Sequence, residues 1–157
     1  MRNALLLSFL AIFLFAAICY GAEITGPDYY TIVERLKKDD LNVDFSALRM
    51  SYTKTPDYQP YGGSDPEKRS AAYADLKNNS YLDAIDKAKA ILERNYVDMD
   101  AHFICRIAYR KQGDTAKSAY HNAILEGLLK SLSSSGDGST PEKALVVISV
   151  PEEYFFL

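Results

Sequence analysis

The sequence predicts a mainly α fold of stacked antiparallel helical hairpins, tetratricopeptide-like, with a short β-strand near the C-terminus. Three observations carry that expectation. Two amphipathic runs line up at an offset of 34 residues, one opened by Asn79-Ser80-Tyr81 and the other by Gly113-Asp114-Thr115, with Ala84 and Ser118 at matching places. Each is preceded by another helical stretch, so the unit is helix, tight turn, helix at the tetratricopeptide period. Apolar residues recur at helical spacing through 65–132. Leu145 to Val150, in contrast, is apolar and β-branched, the signature of a strand.

Residues 1–22 read as a signal peptide. Arg2 supplies the basic region, Ala4 to Ile18 is an uncharged apolar run, and Cys-Tyr-Gly-Ala follows. The run is short of the roughly 20 residues that span a bilayer, and cleavage is expected after Gly21 or Ala22. A rival reading puts a lipid on Cys19, although lipoprotein processing wants a small residue where Ile18 stands. The expected location is the periplasm or cell envelope, with membrane contact only through the signal sequence or that lipid.

Residues 23–64 should hold N-terminal helices and an extended strap rich in Tyr and Pro. Asp28 to Lys38 places Tyr29, Ile32, Val33 and Leu36 at helical spacing and stops in Lys37-Lys38-Asp39-Asp40. Asp44 then caps a short helix whose Phe45, Leu48 and Tyr52 share a face. From Thr53 to Gly63 the prolines Pro56 and Pro60 and the pair Gly62-Gly63 forbid a helix.

Residues 65–132 form the helical hairpins. Asp65-Pro66 is a cap followed by a first-turn proline, opening a helix through Lys77. Ser80 is expected to cap the next, with Tyr81, Ala84, Ile85, Ala88, Ile91 and Leu92 turned inward and Asp83 and Lys87 forming an outward i,i+4 pair. The following helix carries Ala101, Phe103, Ile104, Cys105, Ile107, Ala108 and Tyr109 around much of its circumference, as a helix packed on both sides should. Asp114 caps the last long helix, in which Gly127 costs about 1 kcal/mol relative to Ala. A close helix neighbour would explain it. Residues 133–157 hold a Ser/Gly turn, the strand and a last helical turn at Pro151-Glu152-Glu153.

Charge and cysteine count narrow the function classes. Loss of residues 1–22 removes Arg2 alone among charged residues, moving the formal charge from −3 to −4. With no Lys/Arg cluster, nucleic acid is not an expected partner. About 135 mature residues suffice for a core without staples, and Cys105 alone remains, so no intramolecular disulfide is expected.

His102 and Cys105 sit three apart on one helix and His121 lies on its antiparallel partner, the convergence that a metal or Cys/His nucleophilic site would need. Structural zinc wants four ligands, however, and the further candidates Asp98 and Asp100 read as helix caps. Cys105, in an apolar stretch, reads as an inert thiol. Gly136-Asp137-Gly138 is too short for a calcium loop. No metal or other cofactor is expected. Tyr58, Pro60 and Tyr61 on the strap offer contact area for a partner, or else seal the core.

Val43-Asp44-Phe45, Leu48-Arg49, Tyr52, Thr55-Pro56, Tyr58, Pro60-Tyr61, Asn95-Tyr96-Val97-Asp98, Ala101-His102-Phe103, Gly113-Asp114, His121, Gly127-Leu128 and Ser135-Gly136-Asp137-Gly138 together resemble one exported bacterial family, known only as a domain of unknown function. The likeness runs from about Tyr29 to Tyr154. It implies no activity; members of that family usually continue past the Val147-Ile148-Ser149 and Glu152-Glu153-Tyr154 segment into further β structure, so 133–157 is expected to be an incomplete C-terminal segment.

The leading expectation is a non-enzymatic, extracytoplasmic interaction module that holds another protein or a peptide, with Tyr58, Pro60, Tyr61, His102 and His121 as partner-binding candidates. The alternative is an envelope hydrolase or metal-dependent enzyme that uses His102 and His121 with Arg49 or an aspartate.

Overall fold

The computed structural model describes residues 28–61 and 65–156. The expected signal peptide, Cys19 and the Gly62-Gly63 break lie outside the described residues. Within them the elements are α1 (Tyr29–Leu36), α2 (Phe45–Tyr52), α3 (Pro66–Lys77), α4 (Tyr81–Leu92), α5 (Met99–Lys111), α6 (Thr115–Ser133) and α7 (Val150–Phe156), with a 3-10 turn at Pro141–Lys143.

Aspartates start most of these helices by accepting orphan first-turn N–H groups. Asp28 takes that of Thr31, Asp44 those of Ser46 and Ala47, Asp65 that of Lys68, Asp98 that of Ala101 and Asp114 that of Lys117. Ser80 occupies the N-cap of α4 but its hydroxyl makes no cap bond. Asp100 is not a cap: it lies inside the first turn of α5, where it accepts from Tyr73 at 2.5 Å and faces Arg69 at 3.2 Å.

The 34-residue offset is a repeated turn. Asn79 (φ 62°) and Gly113 (φ 81°) both take the left-handed conformation, and the next residues, Ser80 and Asp114, return their N–H groups to the carbonyls of Asp75 and Tyr109. Glycine and asparagine are the residues that enter this region at least cost, which is why they close helices.

Helix α5 lies at the centre of the packing. It meets α3, α4, α6 and α7, while α3 also packs on α4, α1 on α2, and α2 on α6. Its Ala101, His102, Ile104, Cys105 and Ala108 are all fully buried. The one-sided reading of α4 holds, with Ala84, Ile85, Ala88, Ile91 and Leu92 buried. Lys87, however, pairs with Asp75 of α3 at 2.5 Å and not with Asp83, because the carboxylate across the hairpin lies within reach. Gly127 does mark a close approach: a Cβ there would run into the ring of Phe45 on α2.

Two larger expectations fail as well. The stretch after Thr53 is a run of turns and not an extended strap: Lys54, Thr55 and Tyr58 donate to Ser51, Tyr52 and Thr55 carbonyls, and the Thr53 and Thr55 hydroxyls bind carbonyls three residues back. The short side-chain hydroxyls win the local competition for backbone groups.

The C-terminal strand is absent, and no strand occurs among the described residues. A ladder is unnecessary because side chains satisfy the segment one group at a time. The Val146 N–H donates to Ser135 Oγ at 2.8 Å and its carbonyl accepts from Arg49 at 2.6 Å. The Ile148 N–H reaches Glu152 and its carbonyl accepts from Tyr58 Oη, each at 2.7 Å. The Val150 N–H reaches the Pro60 carbonyl at 2.8 Å, and α7 begins there.

Candidate functional site

Tyr58 and Pro60 serve the fold. The Tyr58 ring packs edge-on against Tyr52 at 5.8 Å, its hydroxyl holds Ile148, and the Pro60 carbonyl holds Val150. Tyr61, in contrast, is 85% exposed. Both Tyr58 and Pro60 thus contact the protein's own tail.

Arg49 completes that fastening. Although it sits on the inward face of α2 beside Leu48, its guanidinium forms a bidentate pair with Glu152 at 2.7 and 2.8 Å and also donates to Ser131 and the Val146 carbonyl. Both side chains of the pair are buried. These bonds engage Arg49 away from the histidines.

The imidazoles do converge, as their placement on antiparallel helices predicts. His102 Nδ1 and His121 Nδ1 are 3.0 Å apart, and His102 Nε2 is 3.0 Å from the Tyr96 carbonyl. A carbonyl only accepts, so Nε2 of neutral His102 carries the proton and its Nδ1 is the bare nitrogen. His121 must then donate from Nδ1, which leaves its Nε2 as a lone-pair acceptor without a partner in the protein. Burial holds His102 neutral down to about pH 4. For His121, burial first and then the neighbouring His102 and Lys89 push the pKa down to about 3.

Aromatic rings surround this pair. Tyr109 stacks on His121 at 5.7 Å, Tyr120 meets it edge-on at 5.2 Å, and Tyr96 meets His102 edge-on at 5.3 Å. Tyr96, between α4 and α5, is a hub: its N–H donates to the Tyr29 hydroxyl at 2.7 Å. Its own hydroxyl donates to Tyr120, whose hydroxyl in turn donates to the Leu36 carbonyl at 2.9 Å. The C-terminus of α1 is thereby pinned to α6.

Above His121 opens a cleft of about 540 Å3 whose walls include Tyr96, Tyr109, Tyr120 and Ala116. Its rim carries Lys37, Lys89 and Lys117 against Asp39 and Glu93. Two of the lysines lie across aromatic faces, Lys37 at 5.9 Å from the Tyr96 ring centre and Lys117 at 5.1 Å from that of Tyr109. Sequence reasoning found His121 here but not the tyrosines or the lysines. The available signal was weak: Tyr96, Tyr109 and Tyr120 are spread over three elements and meet only once the helices pack.

The arrangement is poor in catalytic means. His102 spends both nitrogens inside the protein, and a base as weak as His121 is far from the near-neutral pKa that proton transfer favours. The pair offers two nitrogens, and no group of three or more His, Cys, Asp or Glu side chains among the described residues could hold a metal. Burial pushes the Cys105 thiol up to about 12. A second cluster, Arg69 with Asp98, Asp100 and Tyr73, joins α3 to α5; burial raises the Asp100 pKa.

A protein-family model described as a domain of unknown function, DUF4919, matches residues 24–157. No curated protein matches. No solved structure matches either.

Proposed function

We propose that this protein, which belongs to the DUF4919 family, is an exported, non-enzymatic interaction module that holds a segment of another protein in the cleft over His121. The observation that carries the reading is the cleft itself: open, about 540 Å3, walled by tyrosines and rimmed by lysines in an otherwise acidic protein. Large, stiff aromatic side chains give contact area at low entropic cost, and such surfaces suit peptides.

The scaffold belongs with this reading. The hairpins α3–α4 and α5–α6, related by the repeated turn at Asn79 and Gly113, are proposed to be tetratricopeptide-like units, whose stacking forms extended binding surfaces. That likeness is one of fold alone and is an associational warrant for function. Export rests on the apolar run Ala4 to Ile18 behind Arg2. Among the described residues no helix is long and apolar enough to cross a membrane. The competing hydrolase or metal-enzyme reading has one point in its favour, that His121 shares the cleft with Asp39 and Glu93. The weak basicity of the imidazole and the engagement of His102 count against it.

Ala116 is exposed, lies at the start of α6 and lines the cleft, so Ala116→Trp fills the cleft without touching the core. Affinity capture from the native envelope should recover a saturable partner with the wild-type protein and lose it with Ala116→Trp. Capture of the same partner by both proteins would exclude the cleft.

A further inference from the structure

Three cations rim the cleft, but they are not equivalent. Lys37 is 3.6 Å from Glu93 and Lys117 is 2.8 Å from Asp114. Lys89 lines the same cleft on α4, is exposed, and forms no ion pair among the described residues. Beside it, His121 is 7% exposed and has an unpartnered Nε2. A ligand that fits must therefore supply two things, an anion for Lys89 and a hydrogen-bond donor for a neutral imidazole.

The donor requirement is strict because the tautomer is set from below. The Tyr96 carbonyl fixes the proton on Nε2 of His102, and that fixes the proton on Nδ1 of His121. Protonating Nε2 instead would put an imidazolium among Lys89, Lys37 and Lys117, with Asp39 and Glu93 as the opposing charges on the rim. Tyr96, Tyr109 and Tyr120 add only neutral hydroxyls at physiological pH, since their pKa values are raised by burial. A nucleic-acid phosphate offers acceptors alone, so it meets Lys89 and leaves His121 unsatisfied. A peptide carries a donor on nearly every residue, and an acidic one carries the anion too.

We propose that the occupant of the cleft is an extended peptide segment bearing a carboxylate, with the carboxylate on Lys89 and a backbone N–H donated to Nε2 of His121. This rests on the cleft being a protein-binding surface, as proposed above, and adds the chemistry of the partner. The carboxylate is that of an Asp or Glu side chain within the segment. His121 acts as a fixed acceptor and not as a proton switch.

The test is a titration of the mature protein with the blocked pentapeptide Ac-Ala-Ala-Glu-Ala-Ala-NH2, read by nitrogen-15 resonances of the backbone and of the His121 imidazole. Binding should move the Nε2 resonance in the direction of an accepted hydrogen bond. Replacing Glu with Gln in the peptide, or Lys89→Met in the protein, should weaken binding by about tenfold, the scale of one charge-assisted contact. Ac-Ala-Ala-Ala-Ala-OH tests the source of the carboxylate: binding by it in place of the Glu peptide would assign the site to a free C-terminus and overturn the proposal. His121→Asn keeps a donor toward His102 and removes Nε2. Should that variant fail to fold, N-methylating each peptide amide in turn tests the contact from the ligand side, and one position should abolish the Nε2 response.

Equal affinity for Glu and Gln peptides, or a silent Nε2 resonance on binding, overturns the proposal. So does inorganic phosphate competing with the peptide and moving Nε2 as the peptide does. If all the peptides fail while Ala116→Trp still abolishes capture of a partner, only the assigned chemistry falls. If the capture is also insensitive to Ala116→Trp, the cleft itself is not the binding surface.

Discussion

Arg49→Met removes one half of the clip that fastens the tail to the helices. Glu152 would be left as a buried carboxylate whose remaining bonds are to the Ile148 N–H and to water that must enter; in the intact protein the Arg49 and Glu152 side chains are only 1% and 4% exposed. Removing one partner of such a pair typically costs about 3–5 kcal/mol, mostly because the other charge is stranded. The Val146 carbonyl and the Ser131 hydroxyl also lose a donor.

The protein has an escape, which is to release residues 145–156 as a unit and rehydrate Glu152. The global loss of stability is then capped at the free energy with which the tail docks. Urea unfolding should therefore show a loss of up to about 3–5 kcal/mol. Hydrogen exchange at Ile148 and Val150 should accelerate by roughly a hundred- to a thousandfold, since about 1.4 kcal/mol is a factor of ten. The double variant Arg49→Met/Glu152→Met, which strands no charge, should be more stable than Arg49→Met alone. If Arg49→Met stays within about 1 kcal/mol of wild type with Ile148 and Val150 protected as before, the clip does not hold the tail.

Other outcomes follow from the same contacts. Gly127→Leu should destabilise by about 1–3 kcal/mol through collision with Phe45, with Gly127→Ala milder because the ring can swing aside; in a Phe45→Ala background Gly127→Ala should become stabilising, by up to about 1 kcal/mol of helix propensity. Equal stability of both Gly127 variants with wild type in urea would show that the ring is not in contact. His102 and His121 have folded pKa values depressed to about 4 and about 3. The unfolded state therefore binds more protons below its pKa of about 6.5. Stability should be complete above that value and fall toward about pH 4 by up to ~1.4 kcal/mol per pH unit for each imidazole, a slope that His121→Asn should reduce; a flat profile from pH 7 to 4.5 would contradict the buried neutral pair. Cys105 should resist thiol reagents at pH 8 until urea unfolds the protein, because the thiol is buried and its pKa pushed up to about 12; rapid labelling of the native protein would put it at the surface.

Much of the helical body was legible from the residues. Asp44, Asp65, Asp98 and Asp114 each announce a helix start by a short acceptor ahead of an amphipathic run, and local signals of this kind survive folding. The offset between Asn79 and Gly113 was legible because left-handed turns restrict residue choice. The pairing of His102 with His121 followed from antiparallel neighbours.

The tail departs from its sequence signature for a reason of the same physical kind. Leu145 to Val150 has strand composition, but strand composition describes an extended backbone that needs partners, not where the partners come from. Arg49, Ser135, Tyr58, Pro60 and Glu152 supply them, from as far away as 97 residues. The cleft was hidden likewise: Lys89 reads as an ordinary surface lysine until α1 and α6 bring Lys37, Tyr120 and His121 around it.

The most direct measurement is site-specific photocrosslinking in the native envelope, with a benzophenone side chain placed in turn at Ala116, inside the cleft, and at exposed Ser46 on α2. A discrete crosslinked protein is expected from position 116, suppressed by added partner segment, and none from position 46. Crosslinking of the same protein from both positions, or from position 46 alone, would contradict the cleft as the place where this protein meets its partner.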